Sequence, residues 1–342
     1  MGMTIVDIAK IAGVGVSTVS RVINNHPDVK YETRERILEI IRENNYIPNN
    51  SARVLKQVTT NNIGILIRGV FNPFFAALLK NISMSIEKAG YSIIVYYHNN
   101  VDDVSTLVGF AKEKRLQGVI CLGGNFLDVN EESFKGLDIA IVMISVDFKK
   151  PKTWKNFSTV SISNKKAGYK ATNYLIEKGH KEIAILLGNK EDYSIGKLRY
   201  EGYLDACKDH DIKQNLDYVI YGNYDTALAY EKTKEFLIDN PQITAIFATA
   251  DTMAIGAAKA IADLGFKVGE DISVMGFDGI DVARYYMPDI ATIEQPQDEL
   301  SEVSVGLLIG LLENKLQNQH IILETKLIEG NSVKEKRIKK TE

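Results

Sequence analysis

From Ile63 onward the chain alternates short apolar, β-branched runs with amphipathic segments, and that alternation limits its fold more than any other feature. The runs are Ile63 to Ile67, Tyr91 to Tyr97, Val119 to Leu122, Ile139 to Ile144, Ile183 to Leu187, Tyr218 to Tyr221, Ala245 to Phe247 and Ile272 to Gly276. Between them lie segments such as Phe75 to Ala89, Lys165 to Lys178, Lys197 to Asp209, Thr226 to Asp239 and Thr252 to Leu264. Strands that alternate with helices build parallel sheets covered on both faces, the doubly wound α/β class. Roughly 270 residues is too much for one such sheet, so two similar lobes with a cleft between them are expected.

The first 47 residues follow a different rule, with three short helical patterns and no strand. Thr4 can cap a helix from Ile5 to Ala12, where Ile5, Ile8 and Ala12 share a face. Gly13 ends it, Val14 and Gly15 turn the chain, and a second segment runs from Val16 to Asn24 with Val19, Val22 and Ile23 inward. A third fits Tyr31 to Asn44. Two helices joined by a short Gly-containing turn make the helix-turn-helix pattern. Pro48 disfavours helix at Ile47 and separates residues 1–47 from a linker over 48–60, in which Ser51 to Gln57 is a helical patch too short to be stable alone. A core over 61–330 follows. Residues 331–342, rich in Lys and Arg without apolar periodicity, read as a disordered basic tail.

In a helix-turn-helix the second helix enters the major groove and its first residues reach base edges. Val16, Ser17 and Arg21 lie opposite the inward Val19, Val22 and Ile23, so they are the base-facing candidates; Arg can read guanine with two bonds and a small apolar group can meet a thymine methyl. Thr18 and Ser20 suit phosphates. Charge agrees in sign: residues 1–58 carry a surplus of two positive charges, which leaves the remainder at −5 given the net charge of −3. Gly13-Val14-Gly15 does not open a dinucleotide fingerprint, because it follows a helix and Thr18 stands where a third small residue is required.

The chain resembles the lactose-repressor (LacI) family of bacterial transcription regulators. The likeness rests on Thr4-Ile5-Val6-Asp7-Ile8-Ala9, the AGVGVSTVSRVIN segment from Ala12 to Asn24, Thr33-Arg34-Glu35-Arg36-Ile37, Asn45-Tyr46-Ile47-Pro48-Asn49, Ala52-Arg53-Val54-Leu55 and Asn72-Pro73-Phe74-Phe75. It continues through Lys178-Gly179-His180, Arg199-Tyr200-Glu201-Gly202-Tyr203, Asp251-Thr252-Met253-Ala254-Ile255-Gly256 and Gly276-Phe277-Asp278, in order from about residue 3 to 330. The resemblance implies a helix-turn-helix head and a core like that of periplasmic sugar-binding proteins, with lobe one at about 61–160 and 293–320 and lobe two at about 161–292 and 321–330. It implies a homodimer on pseudo-palindromic double-stranded operator DNA. It adds Thr4, Asn24, Asn49 and Ala52 to the DNA-contacting set, and a hinge where Leu55 wedges the minor groove open while Arg53 and Lys56 meet phosphates.

Asp278 follows an apolar strand, so its carboxylate is expected at a carboxyl end, where open α/β sheets bind ligands. With Arg199 it can hold a polyhydroxylated effector, the guanidinium donating and the carboxylate accepting. Asp147, Tyr193, Tyr224, Phe74, Phe75 and Arg68 match or neighbour pocket positions of the family. Gly15 replaces a usual capping serine, Lys30 another, Ala250 a sugar-binding asparagine and Gln297 an aromatic. Arg68 beside Arg199 would favour an anionic ligand if both reach the cleft.

The expected function is therefore a repressor controlled by a sugar or sugar phosphate. The alternatives are a regulator that uses a phosphocarrier protein or sugar-phosphate corepressor, and a ligand-binding transport protein. No cofactor or enzymatic motif is expected: the five histidines show no metal-ligand spacing with Cys121 and Cys207, and no phosphate loop or nucleophile elbow occurs. Two distant cysteines, no secretory pattern and no apolar stretch near the roughly 20 residues of a membrane span suggest a cytoplasmic protein.

Overall fold

The computed structural model describes residues 3–23, 26–44, 46, 61–69, 72–126, 129, 132–146, 157–190, 195–213 and 217–336. Two compact units divide the chain, residues 1–60 and 61–342. Among the described residues no helix is long and apolar enough to cross a membrane.

The first unit holds α1 (Ile5–Ala12), α2 (Val16–Ile23) and α3 (Tyr31–Glu43). Thr4 and Asp7 form a capping box: the Asp7 N–H donates to Thr4 Oγ1 at 3.3 Å and the Thr4 N–H to Asp7 Oδ2 at 2.9 Å. Gly13 ends α1 at φ 64°, a left-handed angle that costs glycine nothing and lets the Val14 N–H reach back to the Ala9 carbonyl. Ile8, Ala9, Ala12, Val19, Val22, Ile37 and Tyr46 form the core of this unit, so the apolar spacing read from the sequence is the spacing that packs.

In the second unit, β1 (Asn62–Arg68), α4 (Pro73–Lys88), β2 (Ser92–His98), α5 (Asp103–Lys114), β3 (Gly118–Leu122), β4 (Ala140–Ile144) and β5 (Ser158–Ile162) build one lobe. The other begins with α6 (Asn164–Glu177), β6 (Ile183–Leu187), α7 (Ile195–Asp209), β7 (Val219–Tyr221), α8 (Thr226–Asp239) and β8 (Ala245–Ala248). It continues through α9 (Asp251–Asp263), β9 (Ser273–Asp278), α10 (Asp281–Tyr285) and β10 (Ala291–Glu294). The chain then returns through α11 (Gln297–Leu312), β11 (His320–Leu323) and β12 (Lys326–Ile328). The sheets run β11-β5-β4-β3-β1-β2 and β12-β10-β9-β8-β6-β7. All pairings are parallel except β12 on β10.

The chain therefore passes between lobes three times: after β5, after β10 and between β11 and β12. Three expected borders move, the first from 160 to 162 because all of β5 belongs to the first sheet. All of β10 belongs to the second sheet, and β11 pairs with β5 in the first, so lobe one takes residues 320–323 and lobe two keeps residues up to 294. Short strands such as β5, with Ser158, Thr159 and Ser161, carry too little apolar signal to mark a border. The disordered tail is also corrected for residues 331–336. The Ser332 carbonyl accepts from the Val274 N–H, its hydroxyl donates to the Val274 carbonyl at 2.6 Å, Val333 is buried, and the Lys336 N–H donates to the Lys178 carbonyl. A strap held by backbone hydrogen bonds and one apolar side chain has no periodicity to read.

Candidate functional site

The head presents the expected face. Val16, Ser17 and Arg21 are exposed, Thr18 and Ser20 half-buried, and Val19 and Val22 buried beneath them. Arg21 lies in the last turn of α2, with its Nη1 3.3 Å from Asp28 Oδ2. Thr4 is exposed, but its hydroxyl is engaged with Asp7 Oδ2 at 2.6 Å as the cap of α1. Gly15 stands before α2, where its carbonyl accepts from the Thr18 and Val19 N–H groups. Asn24, Asn49, Ala52, Arg53, Leu55 and Lys56 lie outside the described residues.

In lobe two the strand ends gather a buried polar cluster. Asp278 closes β9 with 5% of its surface exposed and φ at 113°, a strained angle for a residue with a side chain. Arg199 on α7 is 4% exposed and lies with Cζ 3.6 Å above the centroid of the Phe277 ring. Its Nε donates to Asn164 Oδ1 at 3.0 Å and its Nη1 to the Thr249 carbonyl at 2.6 Å, while Nη1 stays 3.9 Å from Asp278 Oδ1. That Oδ1 accepts instead from Gln295 Nε2 at 2.7 Å. Among the described residues, neither Arg199 Nη2 nor Asp278 Oδ2 has a hydrogen-bond partner. The cluster thus keeps one cationic donor group and one carboxylate oxygen without a hydrogen bond among the described residues, on side chains whose nearest nitrogen and oxygen atoms are 3.9 Å apart.

Asp251 supports this arrangement from the first turn of α9. Its Oδ2 accepts the Gly279 and Ile280 N–H groups at 2.7 and 2.8 Å and its Oδ1 the Thr292 hydroxyl at 2.7 Å, which ties the loop after Asp278 in place. Burial pushes the Asp278 carboxyl up to about 6, against the pull of the Arg199 charge and the Gln295 amide. Burial first, then the neighbouring Asp278 charge, raises Asp251 above the carboxylate range, while its three donors draw it back.

Gln295, Asn164, Thr249 and Asp251 were not singled out as site residues in the sequence. The buried Gln295 Oε1 has no partner among the described residues, an unmet acceptor of the kind that marks a polar ligand. Only its position just past the end of β10 hints at this.

The remaining expected pocket residues divide. Tyr224, at φ 55°, is half-buried with its ring against Gly188 at the ends of β6 and β7. Phe75 is half-buried against Gly123. Phe74 is 2% exposed inside the apolar core, so it belongs to the packing of α4 and offers no ligand surface. Asp147 and Tyr193 lie outside the described residues.

Arg68 ends β1, but its charge is already matched. Its Nη1 bonds Asp103 Oδ1 at 2.7 Å and also reaches the Asn100 carbonyl. Asp103 is buried, and its other oxygen accepts the Asn125 N–H at 2.7 Å. His98, beside Arg68 in the sheet register, approaches the same Oδ1 at 3.5 Å. The positive charge of Arg68 is therefore paired with Asp103.

Comparison with known proteins agrees with both units. Residues 4–49 match the model of the bacterial regulatory proteins of the lacI family, and residues 172–333 that of a periplasmic binding protein-like domain. The chain is 48% identical over 332 residues to the HTH-type transcriptional regulator MalR of Clostridium butyricum, covering 96% of this chain and 99% of that one. It is 33% identical over 336 residues to the HTH-type transcriptional repressor PurR of Pasteurella multocida, covering 97% and 98%. Among solved structures, the transcriptional regulator CelR–cellobiose complex superposes with a TM-score of 0.71 at 26% identity, covering 96% of this chain and 99% of that one. The lac repressor dimer bound to operator and the anti-inducer ONPF shares the fold with a TM-score of 0.76 at 24% identity, covering 98% and 100%. With its helix-turn-helix head and its two-lobed binding core, this chain belongs to the lacI family of bacterial regulatory proteins and is a DNA-binding transcriptional regulator.

Proposed function

We propose that the chain is a cytoplasmic, homodimeric repressor whose operator affinity is set by a neutral carbohydrate bound at the strand ends of lobe two. The observation that carries this reading is the leftover pair, Arg199 Nη2 and Asp278 Oδ2, beside the unmet Gln295 Oε1. A sugar hydroxyl is both donor and acceptor, so vicinal hydroxyls suit adjacent guanidinium and carboxylate groups. One positive and one negative group leave the site near neutrality, and Arg68 is paired with Asp103. An anion would meet Asp278 without a free second guanidinium to offset it. The likeness to the CelR–cellobiose complex supports the same class of ligand.

In the head, Val16, Ser17 and Arg21 read base edges, Thr18 and Ser20 contact phosphates, and two heads of a dimer engage half-sites about one helical turn apart. The test is a thermal-shift and calorimetric screen with cellobiose, other neutral di- and monosaccharides, and their phosphates. A neutral sugar at 100 times its dissociation constant should stabilise the chain by about 2.7 kcal/mol. Stabilisation by phosphorylated sugars alone, or undiminished binding by Asp278→Asn, would overturn the assignment.

A further inference from the structure

The head contains an ion pair that the fold does not need. Arg21 and Asp28 meet at 3.3 Å with side chains 58% and 46% exposed, and a pair so open to water adds next to nothing to stability. Its surroundings are nonetheless fixed. The His26 N–H donates to the Arg21 carbonyl at 2.9 Å, and the Arg34 guanidinium on α3 bonds the His26 carbonyl. Val29 packs on the core of the head, and His26 Nδ1 lies 2.7 Å from Asp28 Oδ1. The turn after α2 is therefore tied to α2 at one end and to α3 at the other, which places the Asp28 carboxylate beside the tip of Arg21.

We propose that Asp28 is a positioning residue that holds the Arg21 guanidinium in the pose that reads one base pair of the operator. This rests on the reading of Arg21 as a base contact. A free arginine on a helix end can swing to the nearest phosphate, which binds every sequence alike. Arginine has five N–H donors, so a bond from Nη1 to Asp28 leaves enough of the fork to meet the O6 and N7 of a guanine. Held in advance, the side chain loses less freedom when it docks. The carboxylate also opposes the close approach of phosphates to this corner of the head, which penalises random DNA. Asp28 thus acts on discrimination more than on affinity.

The experiment uses the full chain and a site selected by the wild-type protein from a randomised duplex pool. Binding of wild type, Asp28→Ala, Asp28→Asn and Arg21→Ala is then measured on that site, on each single-base variant of it and on the unselected pool, over a range of salt. Thermal melts of all four proteins check that the head is folded. Asp28→Ala should lose up to about fivefold in preference at one symmetric base pair, the pair at which Arg21→Ala loses more, since an exposed pair can bias the Arg21 pose only this far. It should bind the unselected pool more tightly than wild type. Its salt dependence should steepen by about one unit of log–log slope as Arg21 moves to a phosphate. Asp28→Asn, which keeps an acceptor oxygen, should fall between the two. The proposal is overturned if Asp28→Ala weakens selected and unselected DNA equally, or leaves the base preference at wild type. If Arg21→Ala itself loses equally on both, Arg21 is not a base contact, and the underlying reading fails with the proposal.

Discussion

Asp278 concentrates what a single residue can contribute to the proposed effector site: burial, a strained backbone angle and a nearby cation. Its carboxyl is raised to about 6. Because the ionised form accepts from sugar hydroxyls, affinity for a neutral effector should be full well above that value. It should fall as pH drops through it, approaching tenfold per pH unit. Calorimetric titration on both sides of pH 6 checks this, and a profile as flat in wild type as in Asp278→Asn would refute it. The sign for stability is the reverse. A carboxyl raised on folding binds its proton more tightly in the native state, so its contribution declines as pH rises from the ordinary 3.8 toward about 6. At this scale the sequence was legible where chemistry sits on a motif. Asp278 and Arg199 stand out because family resemblance and the strand-end rule point to the same place, and the structure brings them within 3.9 Å of each other. The pairing of Arg68 was not legible, because its partner, Asp103, is thirty-five positions away and only the fold brings them together. Gln295 carries no motif at all.

Helices α6 and α7 show how packing fixes the site. A Cβ on Gly202 would lie 2.1 Å from the Lys165 carbonyl oxygen and 2.5 Å from the Tyr169 nitrogen, both backbone atoms that no rotamer change can move. Gly202→Ala must therefore push the helices apart, at a cost of about 1–3 kcal/mol or more. Arg199 on α7 bonds Asn164 on α6, so the same shift should weaken the effector as well as lower the melting temperature. Loss of melting temperature with unchanged effector affinity would separate the helix contact from the site. Gly306, exposed within α11 and with nothing near its would-be Cβ, is the contrasting case. Gly306→Ala should stabilise by about 0.8–1 kcal/mol through helix propensity alone, read from denaturant titration of the chain. Elements built on side-chain periodicity, such as α1 to α3 and the apolar strands, could be read from the sequence. The strap at residues 331–336 could not, since it is held largely by backbone groups and by Ser332.

For the whole molecule, the proposed effector cluster belongs to the 61–342 unit and the proposed reading face to the 1–60 unit, so the proposal requires a coupling between ligand and operator. Such coupling is commonly worth about 1–3 kcal/mol and is reciprocal. Arg199→Ala is a poor probe of it, because it strips partners from the Thr249 carbonyl and Asn164 and uncovers Phe277. Asp278→Asn is better, since it keeps size and one acceptor while removing the charge that a sugar hydroxyl needs. Disrupting a buried charge-assisted contact costs about 2–5 kcal/mol, enough to weaken effector binding thirtyfold or more. Operator affinity without ligand should stay within about twofold of wild type, because the substituted atom belongs to no DNA-contacting element. Operator affinity with ligand should then equal that without it, at ligand concentrations that shift the wild type by about five- to 150-fold. Light scattering on the same samples should give the proposed dimer, which the variant should leave intact. If Asp278→Asn lost operator binding in the absence of ligand while remaining dimeric and folded, Asp278 would be part of the coupling path itself, and its assignment as a ligand contact would fall.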